Sequence, residues 1–512
     1  MTAAFVASLL GFAVLGTPLF VLVGMATALC FLWFTTDHHT LDSLLPMIQN
    51  MEQLATKQEF LAIPLFMASG AIMTAGGMAA RLVRVAEAAL GWLPGGLAVA
   101  SVAACMFFAA ISGSSPVTLI AVGSILFPAM VKAKYPENFA LGLLTTAGSL
   151  GCLVPPSISM LIYAISITSS SARVDPQDLF LAGLIPAFVI GGMLSVYAIV
   201  VGWRMPKESR MTFSAAALGG ALREGIWALL LPFLVLGGIY GGLYTPSEAG
   251  AVAAMYALAV TIFIYRELDL RKLFATLVDS ATLMGSLILI IVLAFGLNEF
   301  LADIQVQDKL MALIQELHLG PAGFLLLVNV LLVVIGALMD SISCTLIFAP
   351  MLAPVAWELY GIDPVHFGVV FVINMEIGYL MPPVATNLFV ASAVFKKPFG
   401  QVTRAVLPTL AMTCLALGLF MYVPTLSKAL VNLQRGVPVV EAFPWHGRPG
   451  PGAAPQAASP ARTGAGAADP GAGATADPAP APAPLAPPPP DLGKITEEAF
   501  EEDAPAAATP TQ

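Results

Sequence analysis

The sequence predicts an all-α polytopic membrane protein made of two inverted-topology repeats with re-entrant hairpins and broken helices. Three observations carry that expectation. The 512 residues are 58% hydrophobic and 10% charged, with a mean hydropathy of +0.87, so there is more apolar surface than a soluble core can hide and lipid must cover the rest. The apolar stretches are cut at mid-length by Gly, Ser and Pro-Pro breaks. The same breaks recur, in the same order, in each half of the chain.

The organising stretch is Ser112 to Pro156. One break is Ser112-Gly113-Ser114-Ser115-Pro116 and the other runs from Gly148 through Gly151 to Pro155-Pro156. Each joins apolar runs of about 10–17 residues, shorter than the ~20 that a spanning helix needs, which fits hairpins and half-helices. Glycine frees the backbone and a double proline removes two amide donors, so carbonyls released there need partners inside the membrane, and a bound cation can be one.

In chain order, Ala3 to Phe34 is interrupted at Gly16-Thr17-Pro18, and a polar loop follows from Thr35 to Glu59. Phe60 to Ala75 is apolar, and Met78 to Trp92 reads as an amphipathic helix with Arg81 and Arg84 on its polar face, suited to an interface. Leu97 to Ile111 and Val117 to Val131 flank the first break, and Phe139 to Gly148 and Ser157 to Thr168 the second. Full spans are expected at Phe180 to Val201, Ile226 to Leu243, Ala249 to Tyr265 and Ala281 to Leu301. A second amphipathic piece, Gln307 to His318, leads to Phe324 to Leu338, Cys344 to Trp357, Phe367 to Ile377, Val384 to Phe395 and Val406 to Val423.

The halves repeat at a near-constant offset: Thr17-Pro18 with Thr245-Pro246 (245 − 17 = 228), Phe66 with Phe295 (229), Ser114 with Ser341 (227) and Pro155-Pro156 with Pro382-Pro383 (227). Basic residues orient them, because cytoplasmic loops concentrate Lys and Arg. Arg204, Lys207, Arg210 and Arg223 put one loop inside, and Arg266, Arg271 and Lys272 another, so Tyr244 to Ser247 lies outside. Asp303 to Leu319 and Glu358 to Pro364 then fall outside and Lys396-Lys397 inside. In the first half the equivalents invert, with Arg81/Arg84 and Lys132/Lys134 inside. Antiparallel repeats with broken helices are the architecture of secondary transporters that bind their cargo at the midplane. The expected division is a first repeat at 1–203, a cytoplasmic linker at 204–225, a second repeat at 226–430 and a disordered Pro/Ala-rich acidic tail at 431–512.

Other classes are disfavoured. No basic patch suggests nucleic acid. Cys30, Cys105, Cys152, Cys344 and Cys414 all lie in apolar stretches, which argues against disulfides or zinc, and the histidines show no metal spacing, His38-His39 being a loop pair. A cleaved signal peptide is not expected, since no basic residue precedes the first long apolar stretch. An intramembrane hydrolase using Ser114 or Ser341 would lack a general base, there being no His or Lys in either break.

In the first half the serines of Ser112 to Ser115 and carbonyls freed around Gly148 to Pro156 can surround a small cation; close helix packing through Ser and Gly is the plainer use of the same residues. The second half offers Met339-Asp340-Ser341-Ile342-Ser343 with Asn374 to Pro383, placing Asp340 and Glu376 at membrane depth. Asp340 either tunes an ion site, takes a proton, or caps the following half-helix. Asn387 can bond the substrate or a hairpin tip. Half-helix N-termini at Pro116 and Ser343 suit an anion. With no arginine in the breaks, a carboxylate would rest on amides, on Ser114, Ser115, Ser341 and Ser343, and on a cation. Thr245-Pro246-Ser247-Glu248 reads as a capping box.

Five signatures, GTPLFVLVG (Gly16 to Gly24), SGSS (Ser112 to Ser115), LGCLVPPSI (Leu150 to Ile158), GLYTPSEAGAVAA (Gly242 to Ala254) and HFGVVFVINMEIGYLMPPVATNLFV (His366 to Val390), resemble the large membrane subunit of tripartite ATP-independent periplasmic (TRAP) transporters, the DctM family. The resemblance covers about residues 1–430. It implies an elevator-type, sodium-driven importer in the bacterial inner membrane, using about two sodium ions. It also implies a small TRAP membrane subunit and a periplasmic solute-binding protein as partners, with a small organic anion as cargo; a self-sufficient sodium:anion symporter is the alternative. Carried over residue by residue, it places sodium ligands at Ser112, Ser114, Gly148, Gly151, Val154 and Pro156, and at Met339, Asp340, Gly378, Met381 and Pro383. Two departures stand out: Met381 where Thr is usual, and Ala385 after Val384 where the family has Gly.

Overall fold

A computed structural model describes residues 19–34, 48–49, 52, 58–167, 172–205, 212–383, 385–441 and 443–444. The expected break at Gly16 to Pro18, the His38-His39 loop, Lys207, Arg210, Val384 and most of the C-terminal tail lie outside them. Among the described residues there are helices and no strands. They are α1 (Leu19–Phe34), α2 (Ala62–Ala75), α3 (Met78–Leu90), α4 (Gly96–Ser112), α5 (Ser115–Lys132), α6 (Glu137–Ser149), α7 (Ile158–Ser166), α8 (Pro176–Trp203), α9 (Ala215–Tyr240), α10 (Pro246–Ile264), α11 (Leu270–Asp303), α12 (Val306–Glu316), α13 (Pro321–Leu338), α14 (Ser341–Tyr360), α15 (Pro364–Gly378), α16 (Thr386–Phe395), α17 (Phe399–Tyr422) and α18 (Pro424–Gln434).

The repeat is visible element by element. Helices α1 to α8 recur as α10 to α17, with α3 and α12 starting 306 − 78 = 228 residues apart and α6 and α15 starting 364 − 137 = 227 apart. Helix α9 joins the copies. Helices α1, α2, α10 and α11 pack on one another as a scaffold, whereas α4 to α8 and α13 to α17 interleave into one core holding both breaks. Amphipathic α3 links the two groups, lying against α4 and α9. At its start Gly77 adopts φ +66, and on its polar face Arg81 pairs with Glu267 (2.6 Å) and lies over the Tyr265 ring, while Arg84 pairs with Glu224 (3.1 Å). The Arg81 hydrogen bond holds the Glu267 carboxyl below its ordinary range.

Local chemistry sets the helix starts. Thr245 and Glu248 form the expected capping box ahead of α10, with Thr245 N–H donating to Glu248 Oε2 (2.8 Å) and Glu248 N–H to Thr245 Oγ1 (3.3 Å). Asp175, Asp269 and Asp363 cap α8, α11 and α15.

Three expectations shift. The hairpin arms are longer than apolar runs suggested, 18 residues in α5 and 20 in α14, because Ser115 and Ser341 begin these helices and Pro128, Pro350 and Pro354 sit inside them. The linker expected at 204–225 becomes helix from Ala215, capped by Ser214. The ordered chain also runs past the expected tail boundary at 431. Helix α18 reaches Gln434, Phe443 is buried against Tyr422, and Lys428 lies between Asp363 (2.6 Å) and Glu441 (2.7 Å) while Arg435 pairs with Asp178. Charge thus ties α18 to the heads of α15 and α8.

Candidate functional site

The first hairpin turns at Gly113, whose φ of +60 suits glycine and whose missing side chain matters: a Cβ there would sit 2.5 Å from the Pro156 carbonyl oxygen. The Gly113 carbonyl accepts from the Ile158 amide (3.1 Å), joining hairpin tip to proline break. Ser112 Oγ lies 2.8 Å from Thr118 Oγ1, and the Ser114 carbonyl accepts from the Thr118 hydroxyl (2.9 Å) and amide (3.1 Å). Ser115 Oγ donates to the Gly148 carbonyl (3.2 Å) and accepts from Asn387 Nδ2 (2.6 Å). Gly151 completes the contact, since a Cβ on it would meet Ser114 and Ser115 backbone atoms within 2.8 Å. Six expected residues, Ser112, Ser114, Ser115, Gly148, Gly151 and Pro156, therefore converge, with Val154 buried alongside and Pro116 opening α5. Asn387 belongs to this tip, not to the break of its own half.

The second tip is built differently. Met339 ends α13 in an extended conformation, and Asp340 caps α14 through one oxygen, Oδ2 accepting from the amides of Ile342 and Ser343 at 3.1 Å each. Capping, one of the roles considered for Asp340, thus uses half of the carboxylate. Among the described residues the other oxygen, Oδ1, is buried without a hydrogen-bond partner, as is the Ser343 hydroxyl; the Tyr379 phenol lies close to Ser341. Gly378 packs so closely on Gly336 that a Cβ would lie 2.8 Å from its backbone, and the Gly378 carbonyl accepts from the Met381 amide (3.2 Å). Ala385, standing where the resemblance expects glycine, holds φ +40 to start α16. Pro382 and Pro383 are exposed, whereas Pro155 and Pro156 are buried.

Several participants escaped the sequence reading. Thr118 closes the first tip, Tyr379 reaches from α15's end toward Asp340, Ser341 and Cys152, and Ser149 bonds Glu376. A cavity of about 380 Å³ opens beside Ser112 and Ser114, bounded across from them by Thr74 of α2 and by Thr276, Asp279 and Ser280 of α11. It is mostly apolar with a few polar groups, the character of a small-molecule site. Repetition was the signal available for Ser149 and Glu376; nothing in the sequence marked Asp279.

The sodium set implied by the resemblance meets these contacts unevenly. A hard cation takes oxygen ligands, and the second tip offers buried ones with no partner in Asp340 Oδ1 and the Ser343 hydroxyl. In the first half the same kinds of oxygen are engaged with one another. The donor chemistry fits, most openly at the second tip.

Comparison with known proteins gives a consistent answer. The family model described as tripartite ATP-independent periplasmic transporter, DctM component, matches residues 6–426. Similar proteins include the C4-dicarboxylate TRAP transporter large permease protein DctM of Pseudomonas aeruginosa, 41% identical over 415 residues that cover 80% of this chain and 93% of that protein. The Vibrio cholerae protein of the same description is 38% identical over 455 residues, covering 84% and 97%. The 2,3-diketo-L-gulonate TRAP transporter large permease protein YiaN of Escherichia coli is 35% identical over 383 residues, covering 74% and 88%. Among solved structures, the Alcanivorax borkumensis YdaH transporter aligns with a TM-score of 0.55 at 15% identity, covering 82% of this chain and 98% of that one, a likeness of fold alone.

Proposed function

The chain belongs to the DctM family of tripartite ATP-independent periplasmic transporters, and from that premise we propose that it is the large permease subunit of a sodium-driven importer of small organic anions. The family is one of transporters, and the hydrolase reading lapses with it. The proposed setting is the bacterial inner membrane, with a periplasmic solute-binding protein delivering cargo and a small membrane subunit as partner.

One observation carries the sodium reading. At the second tip a carboxylate oxygen and a serine hydroxyl are buried at membrane depth without hydrogen-bond partners among the described residues, an expensive arrangement unless a cation or solute uses them. Met339, Asp340, Gly378, Met381 and Pro383 would hold an ion there, with the Ser343 hydroxyl within the same tip, and Ser112, Ser114, Gly148, Gly151, Val154 and Pro156 another. Bound sodium supplies positive charge beside a carboxylate that finds no arginine in the breaks. The solute site is the cavity lined by Ser112 and Ser114, beside the start of α5 at Ser115 and Pro116. Met381 leaves its site without a side-chain hydroxyl, so its contribution is its carbonyl.

Movement follows from the two packed groups. The core of α4 to α8 and α13 to α17 travels past the scaffold of α1, α2, α10 and α11, with α3 and α12 as arms. Left-handed residues at the arm starts, Gly77 and Gln305, and Gly95 ahead of α4 support hinges there. Uptake of a radiolabelled organic acid into proteoliposomes is the test, with binding protein and small subunit supplied. Loss of uptake when potassium replaces sodium supports the proposal, and undiminished uptake removes it. Uptake by this chain alone would transfer the reading to a self-sufficient symporter.

A further inference from the structure

Ser149 and Glu376 are both fully buried, and Ser149 Oγ lies 2.9 Å from Glu376 Oε1. Their separation, 376 − 149 = 227, equals that of Ser114 from Ser341 (341 − 114 = 227) and of Pro155 from Pro382 (382 − 155 = 227). They are therefore the same position in the two repeats. Under a two-fold relation a residue can touch its own equivalent only on the axis, so this contact marks the pseudo-symmetry axis of the core. Ser149 ends α6 and Glu376 lies in the last turn of α15, so the contact stands at the end of both unbroken halves, just ahead of both breaks.

Each partner adjoins a candidate ion ligand without being one. Gly148, next to Ser149, offers the carbonyl that accepts from Ser115. Gly378, two residues past Glu376, packs on Gly336. Ser149 is further fixed to its own helix by the Thr146 carbonyl (2.7 Å). Among the described residues Glu376 Oε2 has no hydrogen-bond partner, so the bond to Ser149 is the one hydrogen bond this buried side chain makes.

We infer that Glu376 is a positioning residue for ion coupling: through Ser149 it pins the last turns of α6 and α15 together and fixes the spacing of the two breaks. This rests on the sodium-coupled reading above. Outer contacts that orient metal ligands commonly govern affinity by about 10–100-fold.

The test measures solute uptake against sodium concentration in proteoliposomes holding binding protein and small subunit, for wild type, E376A, E376Q, S149A and the double variant S149A/E376A. Expected are a rise of about 10-fold in half-saturating sodium for E376A, values near wild type for E376Q, whose amide can either accept from or donate to Ser149 Oγ, and no further rise when S149A is added to E376A. An E376A protein with reduced maximal uptake but unchanged half-saturating sodium overturns the inference, and so does E376Q behaving like E376A. If E376A is not recovered folded, S149A decides: unchanged half-saturation rejects the strut and a raised value supports it. Wild-type uptake indifferent to sodium overturns the coupling reading itself, a result separate from sodium-dependent uptake that ignores Glu376.

Discussion

The two breaks share one plan and differ in how completely they are closed. At the first, Ser112, Ser114, Ser115 and Gly113 spend their hydrogen bonds on Thr118, Gly148, Asn387 and Ile158, and the double proline is buried. At the second, Asp340 Oδ1 and the Ser343 hydroxyl have no hydrogen-bond partner among the described residues, and Pro382 and Pro383 are exposed. Two copies of one unit therefore occupy unequal states within one molecule. Part of the inequality is written in the sequence, since Asp340 stands where the first half has Gly113 (340 − 113 = 227).

The largest expected contrast is chemical access. In a cysteine-free background, P383C should react readily with a water-soluble maleimide while P156C stays unlabelled, read by mass spectrometry of the purified chain. Equal labelling would erase the distinction. Next come the polar contacts. N387A removes a buried 2.6 Å bond to Ser115 and should cost about 1–3 kcal/mol in denaturant or thermal unfolding. S343A, which deletes a hydroxyl without a partner, should be near neutral in that assay yet raise the sodium needed for uptake. A third contrast lies in the backbone. Ala385 holds φ +40, whereas its repeat equivalent Ile158 (385 − 158 = 227) is not among the residues of positive φ. A385G should gain up to about 1 kcal/mol by melting temperature, and I158G should lose stability.

The smallest effect is at the arms. Arg81 and Glu267 join α3 to the segment before α11, and among the described residues α12 has no ion pair of this kind. Because the pair depresses the Glu267 carboxyl, its contribution is fully present above the ordinary glutamate range and is lost as pH falls below that range through the depressed value. The pair is partly exposed, so E267Q should cost roughly 0.5 kcal/mol at neutral pH. That difference should shrink toward zero in melting curves taken well below the ordinary glutamate range, at about pH 3.

Much of this fold was legible because glycine and proline act on the backbone wherever they stand. The breaks at Ser112 to Pro116 and Pro155-Pro156, their copies 227 residues on, and the capping box at Thr245 all follow from local geometry. Helix lengths were less legible. Ser115 and Ser341 count against hydropathy although they begin α5 and α14, and Pro350 and Pro354 are carried inside α14 by surrounding packing. Contacts between repeats were hidden, since only packing brings Asn387 to Ser115 or Thr146 to Thr409. Asp279 escaped because α11 begins at Leu270, well before the apolar run that announced it. The Ser149–Glu376 contact could have been found by adding the repeat offset to each polar residue near a break.

The clasp formed by α18 bears on how this protein can be shortened. Ending the chain at 430, where the family resemblance stops, would remove Arg435 from Asp178 and Glu441 from Lys428, and strip Phe443 from the Tyr422 ring. An expression boundary or a purification tag is better placed beyond Pro444, where the last helix keeps both of its electrostatic moorings.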